Sequence, residues 1–255
     1  MNELNMRKTV TDKMNSIFHT EKPVIGMLHL LGYTEDEVLR IAREEIGIMY
    51  GAGVSAVMVE NYFGNTVDVK NVLALLQKEY ADHVYGVNVL GDFETAFRLA
   101  KQYGAAFVQV DSICGHLLPA HEQAYFDAID RCRSETGIFL MGGVRFKYQP
   151  VQSGRSTAED LAIGRRHCDA IVVTGEGTGM VTDIEKIRVF RSFLPDFPVI
   201  AGAGITAETC EEQFSVADGG IVGSYFKFDG NANNRMDAER VKKFMRACRG
   251  EKEST

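Results

Sequence analysis

The 255-residue sequence has no tryptophan, only five prolines, and five cysteines that never form a CxxC pair. Cys114, Cys132, Cys168, Cys210 and Cys248 are dispersed and odd in number, which suits free thiols in a reducing compartment and argues against a structural zinc. No apolar run approaches the roughly twenty residues that span a bilayer, and the segment MNELNMRKTVTDKMNSIF lacks the apolar centre of a signal peptide, so the expected location is cytoplasmic. Basic excess is missing too. The formal net charge is −7, with no long basic block, which excludes general nucleic-acid binding while leaving room for a small anion held by a few local donors.

What the chain does have is a rhythm. Eight short apolar, β-rich runs recur at intervals of about 20 to 35 residues, the length of a strand–helix unit. They are PVIGMLHL from Pro23, SAVMVEN from Ser55, VYGVNVL from Val84, FVQVDSI from Phe107, GIFLMGGVRF from Gly137, AIVVTGE from Ala170, PVIAGAGI from Pro198 and GGIVGSYF from Gly219. Strands apolar throughout are those of a parallel sheet covered on both faces. Between them lie helix signals: Thr34 with Glu37 three residues on, Asp92 with Gly104 at the far end, and openings at Thr157, Asp183 and Thr206. The expectation is an α/β fold, a (β/α)8 TIM barrel over residues 21–250. A helical N-terminal extension over 1–20, its helix at about Val10 to Phe18, precedes it, and a disordered tail follows over 251–255. An open doubly wound sheet is the competing architecture.

In such barrels the chemistry lies where strands end and loops begin. His29, Glu60, Asn61, Asn88, Asp111, Arg145, Lys147, Thr174 and Glu176 follow the first six strands in turn. Each has an ordinary structural role open to it, as a cap, a rim hydrogen bond or a neutralising charge; their convergence on one rim is what marks a site. Glu60, Asp111, Lys147 and His29 are the catalytic candidates: Asp111 or Glu60 as general base, Lys147 or His29 as acid or oxyanion stabiliser. Asn61, Asn88, Arg145, Thr174 and Glu176 are the substrate-binding candidates. After the seventh and eighth strands come Gly202, Gly204, Gly223 and Ser224, where backbone amides approach an anion unobstructed, so these residues together with Lys227 are the expected phosphate site. TGEGTG after the sixth strand lacks the Lys-Ser/Thr pair of a P-loop and reads as a substrate cradle, a lid or a plain loop. His116 and His121 are spaced poorly for a metal, and Cys114 is a nucleophile by position only. No cofactor and no metal are expected.

The stretches KPVIGMLHL, GAGVSAVMVEN, YGVNVLGD, AIVVTGEGTG, PVIAGAGIT, EEQFSVADGGIVGSYFKFDG and DAERVKKFM give the chain a resemblance to the BtpA/SgcQ family over nearly all its length. The matching positions point to Glu60, Asn61, Asn88, Lys147, Thr174, Gly204, Gly223, Ser224 and Lys227. The resemblance implies either of two kinds of activity. Members among sugar-uptake genes are labelled phosphoribosylanthranilate isomerases or nucleosidase-like enzymes, and the named member is associated with photosystem I biogenesis. The chain departs from the family pattern in the short loop after His29, in Asp111 where asparagine is usual, and in Gly143 where an acid is common. The readings are therefore an isomerase, lyase or nucleosidase acting on a sugar phosphate or nucleotide-like ester, with a non-catalytic assembly factor or a ligand-sensing regulator as alternatives. A homo-oligomer is expected.

Overall fold

The structure, a computed structural model, describes residues 12–251. Residues 1–11 and 252–255, which include the start of the expected N-terminal helix and nearly all of the expected tail, lie outside the described residues. Eight parallel strands close into one barrel in sequence order: β1 (Val24–Leu28), β2 (Ala56–Glu60), β3 (Tyr85–Asn88), β4 (Phe107–Cys114), β5 (Phe139–Val144), β6 (Ala170–Val173), β7 (Val199–Ala201) and β8 (Gly219–Val222). The pairing of Val24 with Gly220 joins the last strand to the first. This closure excludes the open sheet, and each strand falls inside the apolar run that marks it except β4, which runs one residue further to Cys114.

Helix α1 covers residues 12–18. It is followed by α2 (Glu35–Gly51), α3 (Thr66–Glu79), α4 (Phe93–Tyr103), α5 (Pro119–Thr136), α6 (Thr157–Gly164), α7 (Ile184–Phe193), α8 (Cys210–Val216) and α9 (Ala238–Cys248). The capping chemistry largely follows the sequence. Thr34, Asp92 and Asp183 each accept a first-turn amide, and Gly104 ends α4 in the left-handed conformation. α6 opens at Thr157 as expected, capped by Ser156, because Ser156 and Glu159 satisfy each other's amides. One start differs. Residues 206–209 form a turn, closed by the Thr206 amide on Thr209 Oγ1, so α8 begins only at Cys210.

Side chains alternate along each strand, so one set faces the barrel axis and the other the helices. The inward set contains Ile25, Met27, Ala56, Met58, Phe107, Phe139, Met141, Ala170, Val172, Ile200 and Ile221. Helix α1 plugs the N-terminal end of this interior. Phe18 stands 5.2 Å from the Phe107 ring and 6.1 Å from Phe139, and Met14 is buried beside it. The apolar face of α1 is therefore spent on its own barrel. The opposite end, where the strands finish, is left for polar side chains.

Candidate active site at the barrel mouth

Continuing each inward stripe upward by two residues gives His29 above Met27, Glu60 above Met58, Asp111 above Gln109 and Thr174 above Val172. Asn88 ends the β3 stripe that runs up from Gly86. Four of the expected residues meet here as the alternation requires. His29, Glu60 and Asp111 line a cavity of about 240 Å3 together with Lys147, Gln109, Tyr62, Tyr148 and the glycine turns. Asn88 joins the acids: its Nδ2 donates to Glu60 Oε1 at 2.9 Å and to Asp111 Oδ1 at 2.8 Å. Gln109 Nε2 adds a second donor to that Asp111 oxygen at 3.0 Å.

The electrostatics separate the groups. Burial, then the negative charge of Asp111, pushes the Glu60 carboxyl up to about 8, against the opposing pull of Lys147 and the Asn88 hydrogen bond. Glu60 is thus largely protonated at neutral pH. His29 is driven the other way, down to about 3, by burial and then by the positive charges of Lys227 and Lys147. A neutral imidazole results, tilted against Tyr62 with ring centroids 5.0 Å apart and its Nδ1 buried without a partner.

The far wall is built by the loops after β6, β7 and β8. Gly202, Gly204, Gly223 and Ser224 all line the cavity, and no described residue accepts from the Gly204 or Ser224 amide. The glycines also have packing reasons to be small. A Cβ on Gly204 would strike the Met180 carbonyl, and one on Gly223 would crowd His29 Cε1 at 2.9 Å. The β8 turn passes into a 3-10 turn at Ser224–Phe226 and β7 into the 206–209 turn, so neither leads directly into the α-helix anticipated from sequence. The TGEGTG loop folds over the mouth. Lys147 Nζ donates to Thr178 Oγ1 at 3.2 Å, the Thr178 amide donates to Tyr148 Oη at 2.7 Å, and a Cβ on Gly179 would meet Ser224 Oγ at 3.2 Å.

Several sequence candidates lie elsewhere. Lys227 does not reach the phosphate wall. It is fully buried, its Nζ bonded to both oxygens of Glu45 on α2 at 2.6 and 2.7 Å. Arg145 adopts a left-handed backbone, φ 50°, and turns out to Asp160 at 2.8 Å and to Thr157, leaving Lys147 as the cation at the mouth. Glu176 is exposed over the β5 and β6 loops, in a groove it shares with Lys186. Asn61, one residue out of the inward register, receives the Leu90 amide and holds the β3 loop. Thr174 is buried beneath the mouth, its Oγ1 accepting from the Lys147 amide, so it positions Lys147. Burial, then the charge of Asp160, pushes the Cys114 thiol up to about 11, which leaves it protonated. Among the described residues no three His, Cys, Asp or Glu side chains gather as a metal-ligand set.

One contributor escaped the sequence reading. Arg240, in the first turn of α9, lines the glycine side of the cavity, its Nε donating to the Tyr225 carbonyl and its guanidinium 4.4 Å from the Tyr225 ring. A cation in a first helical turn opposes the helix dipole, and that misplacement was the available signal.

A closed (β/α)8 barrel whose mouth pairs two carboxyls with a neutral histidine and a lysine has the form of an enzyme fold. The chain belongs to the BtpA family, whose model matches residues 20–250. Relatives include an uncharacterized protein of Methanocaldococcus jannaschii, 30% identical over 88% of this chain and 94% of its own. The photosystem I biogenesis protein BtpA of Synechocystis is 28% identical over 90% of this chain and 89% of its own. Among solved structures, phosphoribosyl anthranilate isomerase from Thermus thermophilus superposes with a TM-score of 0.59 at 13% identity, covering 89% of this chain and 98% of the other, a likeness of fold.

Proposed function

We propose that this chain is an enzyme acting on a small phosphorylated compound by acid–base chemistry at the barrel mouth, as an isomerase or a lyase. One observation carries the reading: Glu60 and Asp111 are bridged by a single Asn88 nitrogen in an enclosed cavity, with Glu60 still carrying its proton near neutral pH. A carboxyl whose proton affinity is raised beside a second carboxyl supplies an acid and a base at once. Asp111 takes a proton from the substrate carbon or hydroxyl, Glu60 returns one to the neighbouring oxygen, and Lys147 neutralises the oxyanion that forms between the two steps. His29, neutral, serves as hydrogen-bond partner rather than as a charge.

Both carboxyl oxygens reach the same nitrogen. They are therefore closer than the roughly 6.5–9.5 Å that inverting glycosidases keep between carboxyls to admit a water, which argues against single-displacement hydrolysis and is compatible with proton transfer. The phosphate reading draws on the free amides of Gly204 and Ser224 and on Arg240 across the cavity from the acids. A scaffold protein has no need of a carboxyl held protonated inside a cavity.

The test is ligand stabilisation. Inorganic phosphate, sugar phosphates and nucleotides are screened against the wild type and Ser224→Asp by thermal melting. A ligand at a hundredfold its Kd adds about 2.7 kcal/mol, a shift of a few degrees. Stabilisation of the wild type alone by a phosphate ester is the expected result. Unshifted melting with every phosphate compound would overturn the reading.

A further inference from the structure

The mouth has a second lobe. On the far side of Asp111, over the ends of β3 and β4, lies another cavity of about 260 Å3, which shares Gln109 and Asp111 with the first. Three polar atoms of residues lining it are buried without a partner: Gln109 Oε1, Ser112 Oγ and His116 Nδ1. Gln109 and Ser112 are 3% and 5% exposed. An orphaned buried atom forgoes the hydrogen bond it has in water, and interiors keep few of them. Three such atoms belong to residues that line one cavity, where a hydroxylated ligand could supply the missing partners.

The chemistry of the lining defines that ligand. Gln109 commits its nitrogen to Asp111, which leaves the amide oxygen as an acceptor; the serine hydroxyl and the imidazole nitrogen are neutral. Burial lowers the proton affinity of His116, so it adds no charge at neutral pH. No lysine or arginine lines the lobe, whereas Asp92 and Asp111 do, so an anionic group is disfavoured there. Phe93 and Tyr125 form an aromatic corner, with ring centroids 5.3 Å apart and planes at 82°, that offers an apolar face to C–H groups. Hydroxyl donors on an uncharged ring with apolar faces satisfy all of these features together.

We propose that this second lobe binds the neutral, polyhydroxylated ring of a sugar, placing the reacting carbon over Asp111 while the phosphate end of the same molecule lies against Gly204, Ser224 and Arg240. The placement of the phosphate rests on the function proposed above; the sugar lobe does not. The substrate class becomes a sugar phosphate, and the preference among sugars falls to Gln109, Ser112 and His116.

The experiment uses uncharged sugars, so that the two readings fail separately. Saturation-transfer NMR is recorded with D-ribose, D-glucose and D-galactose on the full chain, on Ser112→Ala and on Gln149→Trp, whose exposed position at the edge of the lobe lets the indole block it without disturbing the core. Ser224→Asp serves as control for the glycine wall. At least one sugar is expected to bind the wild type and Ser224→Asp alike, and to bind each lobe variant at least tenfold more weakly. The proposal is overturned if no neutral sugar binds the wild type, if both lobe variants bind as the wild type does, or if Ser224→Asp alone loses the sugar. Loss of the phosphate reading shows instead as phosphate esters that fail to stabilise the protein, whatever the sugars do.

Discussion

The backbone carbonyl of Asp111 occupies the space that a Cβ on Gly143 would need. Asp111 sits where the β4–β5 register shifts, between the pairs Val110–Gly142 and Cys114–Val144, and the bare Gly143 accepts the resulting bulge. The absence of a side chain at Gly143 is thus what lets the β4 backbone that carries Asp111 lie this close to β5. A side chain at Gly143 would also collide with Phe146, so the bulge keeps its place only beside a bare β5 residue.

Gly143→Ala should therefore destabilise the protein by about 1–3 kcal/mol through overpacking, and displace Asp111 from Asn88. Thermal melting reads the first effect and loss of the Glu60 shift reads the second.

The raised proton affinity of Glu60 makes stability depend on pH with a definite sign. Between its ordinary value of 4.5 and about 8 the folded protein holds a proton that the unfolded chain releases, so stability falls as pH rises through that window. His29, depressed from 6.5 to about 3, contributes the opposite slope, confined to pH below 6.5. Between about pH 6.5 and 8 the Glu60 contribution stands clear of that of His29. Denaturant unfolding should show the wild type losing about 2 kcal/mol across this window relative to Glu60→Gln.

The Lys227–Glu45 pair is buried and belongs to the fold. Lys227→Met leaves an unpaired buried carboxylate and should cost about 3–5 kcal/mol, while the double variant with Glu45→Met recovers much of it. Binding of a stabilising phosphate ester to the folded double variant should match that of the wild type.

Arg240→Met removes a charged donor from the glycine wall. A hydrogen bond to a charged group is worth about 1.5–3 kcal/mol, so the Kd for a phosphate ester should rise roughly ten- to hundredfold, measured by calorimetry. The melting temperature without ligand should fall only modestly, since the half-buried hydrogen bond to the Tyr225 carbonyl and the contact with its ring are lost.

The strands, their order and the polar stripe at their ends were legible because a parallel barrel writes them locally: apolar runs, a helix between each pair, and inward positions two residues apart. His29, Glu60, Asn88 and Asp111 obey that alternation. Arg145 and Lys147 lie past the strand, where a left-handed Arg145 followed by a left-handed Tyr148 sends one cation outward and the other to the mouth, and nothing local to RFKY decides which. The partner of Lys227 is 182 residues away, a separation no local pattern bridges. The second lobe was invisible for the same reason, since Gln109 and Ser112 look like ordinary β4 residues until the bulge and the β3 loop surround them.

Glu60 holds a proton at neutral pH because burial in the mouth, and then the negative charge of Asp111 beside it, disfavours its charged form. Carbon-13 NMR titration of labelled glutamate carboxyls, with Glu60 assigned by its loss in Glu60→Gln and the titration repeated in Asp111→Asn, measures this directly. The expected result is a midpoint near 8 in the wild type that falls when Asp111 loses its charge. A Glu60 that titrates with the surface glutamates, near the ordinary value of about 4.3, would contradict it.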